Sequence, residues 1–281
     1  MILKDKVAIV TGGGRGLGRA IAVAFAKEGA RLVLVSRTME ELDLAAKETG
    51  LAERDVLKVS CDISKEKDVE RLVLAALAKF GAIDILVNNA GVIGPIGPVN
   101  KINAKDWIGT INTNLIGTFL CTQAILPELI KNKRGKIINI AGSGEGPLAN
   151  FSAYASSKSA LLRFTEVLAE EVKGDNIDVN AAAPGGIKTQ MTAEIFKKAK
   201  GSERERAEKV LSSGGVSLEV CSELVVFLAS SKSDGISGKI ISAVHDNWRE
   251  FRKNNAELKD ASMYTMRRIH PDLIKRLGGQ S

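Results

Sequence analysis

The sequence predicts an α/β protein built on a doubly wound parallel β-sheet of about seven strands, with helices on both faces. Short runs of β-branched and aliphatic residues recur without polar alternation, as strands buried on both faces of a parallel sheet require. Each run is followed by a longer stretch with apolar residues at helical spacing, and the alternation holds as far as Ile241. Right-handed crossovers then carry the helices to both faces of the sheet.

The elements follow in order. Val7–Val10 is the first strand, ending at Thr11-Gly12-Gly13-Gly14, and Leu17 to Lys27 carries Leu17, Ala20, Ile21, Ala24 and Phe25 on one helical face. Arg31–Val35 is the second strand, with a charged helix running through Glu48. Val56–Val59 makes the third strand, Lys65 to Phe80 a helix and Ile83–Val87 the fourth strand. Ala104 to Lys131 reads as a helical region that Pro127 bends or breaks. Lys136–Ala141 is a strand, Ser152 to Val172 a helix and Asp178–Ala183 a strand. The charged segment Gln190 to Gly215 interrupts the pattern at a strand's C-terminal end, where a mobile lid belongs. Leu218 to Ser230 is helical, and Gly238–Ile241 closes the sheet. No linker, repeat or low-complexity tract divides the chain, so residues 1–244 read as one domain.

Composition narrows the function. With 281 residues, 44% of them hydrophobic, the chain can bury one large core. No apolar run approaches the roughly 18 residues that span a bilayer. Met1–Lys6 leads straight into the first strand with no charged-then-apolar leader, so the expectation is a cytoplasmic protein without a membrane partner. Cys61, Cys121 and Cys221 lie far apart with no ligand spacing, which predicts reduced thiols and no metal. The net charge of +7 is spread among acidic residues and only 4% of residues are aromatic, so nucleic acid is not the expected partner.

In open α/β sheets ligands sit beyond the C-terminal strand ends. The first such end carries Thr11, Gly12, Gly14, Arg15, Gly16, Leu17 and Gly18 in the pattern T-G-x-x-x-G-x-G. Its glycines let the backbone approach a pyrophosphate, and the helix starting near Gly16 aims its free N–H groups there. After the second strand, Ser36-Arg37 stands where an adenosine ribose is read. No acid is present to bind a 2′-hydroxyl, while Arg37 and Arg15 suit a 2′-phosphate, so NADP(H) is favoured and NAD(H) stays open. Asp62 and Ile63 follow the third strand, and Asp62 suits either the adenine amino group or a helix cap. Asn88-Asn89-Ala90-Gly91 follows the fourth. Tyr154 and Lys158 are four residues apart, which stacks a phenol and an ammonium on one helical face; the cation favours the phenolate.

Together, T-G-x-x-x-G-x-G, Asn88-Asn89-Ala90-Gly91 and Tyr154-x-x-x-Lys158 resemble the short-chain dehydrogenase/reductase family, over roughly Lys4 to Ile241. The glycine spacing resembles its short single-domain branch, whose fold is Rossmann-type. The resemblance implies an NAD(P)-dependent oxidoreductase that interconverts an alcohol and a ketone by hydride transfer. It implies Tyr154 as general acid/base and Lys158 as the residue that lowers the tyrosine pKa and holds the nicotinamide ribose. Ser143 would hydrogen-bond the substrate oxygen, and Asn114 would distort its helix to hold a relay water. Asn89, Ala90 and Gly91 belong to the implied cofactor site, as do Pro184, Gly185, Ile187 and Thr189 near the carboxamide.

The branch leaves the small-molecule substrate open between a 3-oxoacyl-carrier-protein reductase type, the preferred reading, and a sugar or polyol dehydrogenase type. Lys197, Lys198 and Lys200 suit an acidic carrier or a phosphorylated sugar. A non-catalytic NADP-binding scaffold is the reading from another class. The resemblance also implies a homo-oligomer, dimer or tetramer with the homotetramer expected, joined through the two long helices at Ala124, Leu161, Phe164 and Leu168. The sequence departs from the family after Ile241: residues 245–281 form an extension whose Trp248, Phe251, Met263, Tyr264, Met266 and Ile269 predict packing on this subunit or a neighbour.

Overall fold

The computed structural model describes residues 1–142, 148–251, 258 and 263–267. Seven parallel strands form one sheet: β1 Val7–Thr11, β2 Arg31–Ser36, β3 Val56–Ser60, β4 Ile85–Asn88, β5 Gly135–Ile140, β6 Ile177–Ala183 and β7 Ile240–Ser242. Their order is β3-β2-β1-β4-β5-β6-β7. The winding reverses between β1 and β4, where the crossovers leave a crevice beyond the strand ends.

The strands are buried because helices cover both faces. On one face, α1 (Gly16–Lys27), α2 (Met39–Thr49) and α9 (Leu218–Ala229) pack Phe25, Leu42 and Leu224 against Leu32 and Leu34. On the other, α3 (Glu66–Phe80), α5 (Gly117–Lys131) and α6 (Ser152–Glu171) pack Leu72, Ile125 and Leu168 against Ile9, Val33 and Ile137. Each such side chain contributes about 1.5–3 kcal/mol by leaving water.

Three departures from the sequence reading have physical causes. Pro127 lies inside an unbroken α5. Its ring and Gln123, whose carbonyl the missing N–H would have met, are exposed, while Cys121, Ile125 and Leu129 hold the axis on the sheet. The break falls earlier, where α4 (Ala104–Ile111) passes into α5 through a widened turn at Asn112–Ile116. The last strand starts at Ile240: Gly238, with φ +73°, departs from extended geometry, although its N–H still donates to the Val179 carbonyl of β6 at 2.7 Å.

The segment after β6 is two helices, α7 (Gln190–Lys198) and α8 (Ser202–Ser213), held down by the buried Ala199 and Ala207. Within it Lys198 is paired with Glu194 at 2.5 Å. Beyond β7, Trp248 and Phe251 join the α1–α9 core, with Trp248 tilted on Phe227 at 5.7 Å between centroids. Ile269 lies outside the described residues. Leu161 and Leu168 are buried within the chain, at 1% and 3% exposure, and so are not available to a second subunit. The resemblance offers them to an interface, but they lie on the core-facing stripe; Ile108, Ile116, Phe119, Ile130 and Val167 are the exposed large apolar groups of these helical regions.

Candidate active site

A cavity of about 1110 Å³ opens at the reversal between β1 and β4. Eighteen of the sequence-selected residues line it: Gly12, Arg15, Gly16, Leu17 and Gly18 from the first turn, Ser36 and Arg37 after β2, Asp62 and Ile63 after β3, Asn89, Ala90 and Gly91 after β4, Tyr154 and Lys158 on α6, and Pro184, Gly185, Ile187 and Thr189 after β6. Thr11, Gly14 and Asn114 stand behind the wall. Ser143 lies outside the described residues.

The first turn is locked from β4. Thr11 Oγ1 accepts the N–H groups of Asn89 and Ala90 at 3.0 and 3.1 Å, and Asn89 Nδ2 donates to the carbonyls of Thr11 and Gly12 at 2.9 and 3.2 Å. Space there is tight enough to demand glycine. A Cβ on Gly12, which has φ +63°, would sit 2.9 Å from Asn89 Nδ2; one on Gly18 would sit 2.8 Å from the Gly12 carbonyl carbon. Gly14 packs instead on α2, its Cβ position 2.8 Å from that of Glu41. Arg15, the residue before α1, makes no side-chain cap, so the helix directs its first N–H groups and positive dipole end at the cavity. This cradle fits a dinucleotide pyrophosphate. Gly18→Ala is expected to lower stability by about 3 kcal/mol and to weaken dinucleotide binding at least tenfold. Urea unfolding and cofactor titration measure both; wild-type values in each would contradict the close approach.

At the end of the cavity beside β2 and β3, Arg15 Nη1 bridges Glu41 at 3.2 Å and Gln190 at 2.5 Å, joining the first turn to α2 and α7. Ser36 Oγ accepts from the Thr38 N–H at 3.1 Å and so shapes the turn that carries Arg37. Asp62 Oδ1 accepts from both N–H and hydroxyl of Ser64 at 3.1 and 2.7 Å. Burial works to raise the Asp62 pKa, but those hydrogen bonds and the charges of Arg37 and Lys65 outweigh it and hold the carboxyl below its usual range. Asp62 therefore braces its own loop, while Lys65 flanks the start of α3. At the other end, Thr189 is the N-cap of α7 and accepts from the Thr192 N–H at 3.4 Å; the Ile187 carbonyl accepts from the Thr192 hydroxyl at 2.6 Å.

The chemistry-bearing groups meet where β4, β5 and α6 converge. Tyr154 and Lys158 lie one turn apart near the start of α6. A Cβ on Gly142 would come within 3.0 Å of Tyr154 Cζ, which places the phenol against the end of β5. Lys158 Nζ donates to the Ile140 carbonyl at 2.7 Å. Asn114, fully buried in the widened turn, accepts from the Val92 N–H at 2.8 Å and donates to the Val92 carbonyl at 2.9 Å and to Ser157 Oγ at 3.0 Å. It ties the loop after β4 to α6, and its own carbonyl accepts from Thr118 Oγ1 at 3.0 Å.

Burial decides the protonation states. It pushes the Tyr154 phenol up to about 12 and the Lys158 ammonium down to about 8. The sequence reading expected Lys158 to lower the tyrosine pKa; burial works in the opposite direction, and the ammonium donates to the Ile140 carbonyl. At neutral pH the pair is therefore a phenol beside a cation, an arrangement suited to giving a proton to a carbonyl oxygen.

Sequence reasoning missed the wall beside the phenol. Ile93, Phe151, Leu148, Met191 and Ile195 line the cavity and cluster with Tyr154. They come from three separate segments, and no spacing in the sequence connects them.

The short chain dehydrogenase family model matches residues 6–200. The 3-oxoacyl-[acyl-carrier-protein] reductase FabG of Thermotoga maritima is 35% identical over 243 residues, 86% of this chain and 97% of that protein. Among solved structures, levodione reductase superposes with a TM-score of 0.79 at 31% identity, covering 88% of this chain and 98% of the other. An NAD+-bound xylitol dehydrogenase superposes with a TM-score of 0.78 at 27% identity, covering 86% and 98%.

Proposed function

The chain belongs to the short-chain dehydrogenase family, an oxidoreductase that interconverts an alcohol and a ketone, and from that premise we propose an NADPH-dependent reductase of the 3-oxoacyl type. One observation carries the reading: the Tyr154 phenol and Lys158 ammonium share one end of a cavity whose other end is a glycine cradle flanked by Arg15 and Arg37.

The nicotinamide cofactor supplies the hydride when bound. Gly12, Gly16, Leu17 and Gly18 hold its pyrophosphate; Ser36, Arg37 and Arg15 meet the 2′-phosphate; Asp62 and Ile63 border the adenine; Pro184, Gly185, Ile187 and Thr189 seat the carboxamide. Asn89, Ala90 and Gly91 shape the floor, with Thr11 and Gly14 supporting the turn from behind. Tyr154 protonates the carbonyl oxygen, Lys158 holds the ribose hydroxyls and draws charge onto the phenol, and Asn114 fixes the helix that presents both. Ser143 takes the second hydrogen bond to the substrate oxygen.

The apolar wall of Ile93, Leu148, Phe151, Met191 and Ile195 supports an acyl-type substrate over a polyol, whose hydroxyls would lose water there without recompense. A chain that oxidises polyols and ignores acyl ketones would reverse that choice. Residues 1–244 form the catalytic domain and 190–215 its lid, with the exposed Ile116, Phe119 and Val167 joining a homo-oligomer. The free, buried Cys61, Cys121 and Cys221 suit the reducing cytoplasm. Among the described residues no helix is long and apolar enough to cross a membrane.

Titration with NADPH and NADH, followed by fluorescence, tests the cofactor choice. NADPH is expected to bind more tightly, and Arg37→Asp to weaken it at least about tenfold, the scale of one charge-assisted hydrogen bond. Preference for NADH would assign Ser36 and Arg37 to another task.

A further inference from the structure

The corner of the cavity beside β2 holds an acid from the following helix. Glu41 stands in the first turn of α2 and lines the cavity with Arg15, Ser36 and Arg37. Gly14 lets it come close: a Cβ there would lie 2.8 Å from Glu41 Cβ and 3.3 Å from Ser36 Oγ, so α2 starts hard against the first turn. Arg15 Nη1 carries two hydrogens, and Glu41 Oε1 at 3.2 Å and Gln190 Oε1 at 2.5 Å accept from it. A carboxylate in the first turn suits the positive end of α2, but the neighbouring Glu40 meets that need equally. Glu40 is exposed and is not among the cavity's lining residues.

Charge is balanced in this corner. Arg15 is paired with Glu41. On the β3 side, Asp62 is kept ionised against its burial by Ser64 and by the charges of Arg37 and Lys65, so the second arginine also has an acid within electrostatic reach. A phosphate monoester brings about −1.5 to −2 charges at neutral pH. One held by Arg15 lies close to the Glu41 carboxylate as well, so attraction to the cation and repulsion from the acid act on it together. A ribose 2′-hydroxyl has no charge to repel, and a carboxylate is the acceptor it uses. Glu41 therefore opposes one cofactor and not the other.

We propose that Glu41 is a specificity-determining residue of the cofactor site, which offsets Arg15, narrows the preference for NADP(H) and keeps NAD(H) usable. This rests on the cofactor reading above, in which Arg15 and Arg37 meet the 2′-phosphate. The side chains of Arg15 and Glu41 are 54% and 30% exposed. Pairs this exposed contribute little to stability, so replacing Glu41 leaves the fold intact and changes the field at the ribose.

Dissociation constants for NADPH and NADH, titrated by fluorescence into the full chain and its variants, test this. In Glu41→Gln the NADPH:NADH affinity ratio is expected to rise about tenfold, the scale of removing one like charge at this range in a wet site. The gain should come through NADPH and shrink at about 1 M salt, because these groups are screened. Glu41→Arg, which reverses the charge, is expected to raise the ratio further. Glu40→Gln takes the same charge from the same turn, and Gln190→Ala frees Arg15 Nη1 without changing charge; each is expected to leave the ratio within about twofold. A ratio unmoved in both Glu41 variants would overturn the proposal. An equal rise in Glu40→Gln would assign the effect to net charge, and one in Gln190→Ala to the freedom of Arg15; either removes Glu41 from the role. A wild-type preference for NADH with a ratio that still rises in Glu41→Gln would refute the NADPH reading and keep this one. A wild-type preference for NADPH with an unmoved ratio would do the reverse, and a chain that binds neither cofactor would end both.

Discussion

Tyr154→Phe is expected to lower turnover of a carbonyl substrate by at least about a thousandfold, the scale of a positioned general acid. The substitution removes one oxygen and keeps the ring, which packs with Ile93, Phe151, Met191 and Ile195, so fold and apolar wall should persist. The glycine cradle lies on other elements, and cofactor affinity should stay within about twofold. Burial holds the Tyr154 pKa near 12, so the phenol is protonated across the neutral range and its proton is available for reduction. The reverse direction needs the phenolate, so alcohol oxidation should rise with pH where reduction does not. Steady-state rates in both directions, with cofactor titration on the same samples, measure this. Turnover within tenfold of wild type would remove Tyr154 from the proton transfer and move the non-catalytic scaffold reading to the front.

Lys158→Met is expected to cost about a hundredfold in turnover while changing stability relative to wild type more favourably at neutral pH than at high pH. The ammonium is buried at 5% exposure, and burial pushes its pKa from 10.5 down to about 8. Between those values the unfolded chain binds a proton that the folded chain has released, so stability rises with pH across that window. Below about pH 8 the folded state carries the whole cost of the desolvated charge, roughly 3 kcal/mol for a shift of that size. Methionine fills the space without a charge. Its advantage over lysine at pH 7 is reduced by the unsatisfied Ile140 carbonyl, about 1–3 kcal/mol, and that part does not change with pH. The stability difference between variant and wild type, from urea unfolding, should therefore shrink by roughly 3 kcal/mol between pH 7.5 and 10.5. A difference that does not vary with pH would mean that Lys158 is not strained by burial.

The two effects have one origin. A cation held in a dry site raises the cost of folding and acts strongly on whatever charge develops beside it, because the same low dielectric governs both. Asn114 and Ser157 belong to this arrangement through position: their hydrogen bond fixes α6 against the loop after β4, so the phenol and the ammonium meet a substrate from a rigid helix.

What the sequence determined by itself was whatever local periodicity and chemistry can encode. Buried strands such as Val7–Thr11 and Arg31–Ser36 read as uninterrupted apolar runs because helices cover both faces, and the parallel order followed from their alternation with helices. Gly12, Gly18, Asn89, Tyr154 and Lys158 were legible because short spacings at strand ends place them together. Tertiary structure decided what depends on distant segments meeting. The widened turn at Asn112–Ile116 replaced the break expected at Pro127, because α5 is held straight by its contacts with the sheet. Leu161 and Leu168 went inside because only packing says which stripe of a helix faces the core. The wall of Ile93, Phe151 and Ile195 forms from three separate loops and helices, and the Ile240 N–H meets the carbonyl of Tyr264, 24 positions downstream in the chain, at 2.7 Å. The tyrosine depends on the fold in the same way: a four-residue spacing shows that a cation is near, but burial, a property of the whole fold, pushes the phenol up.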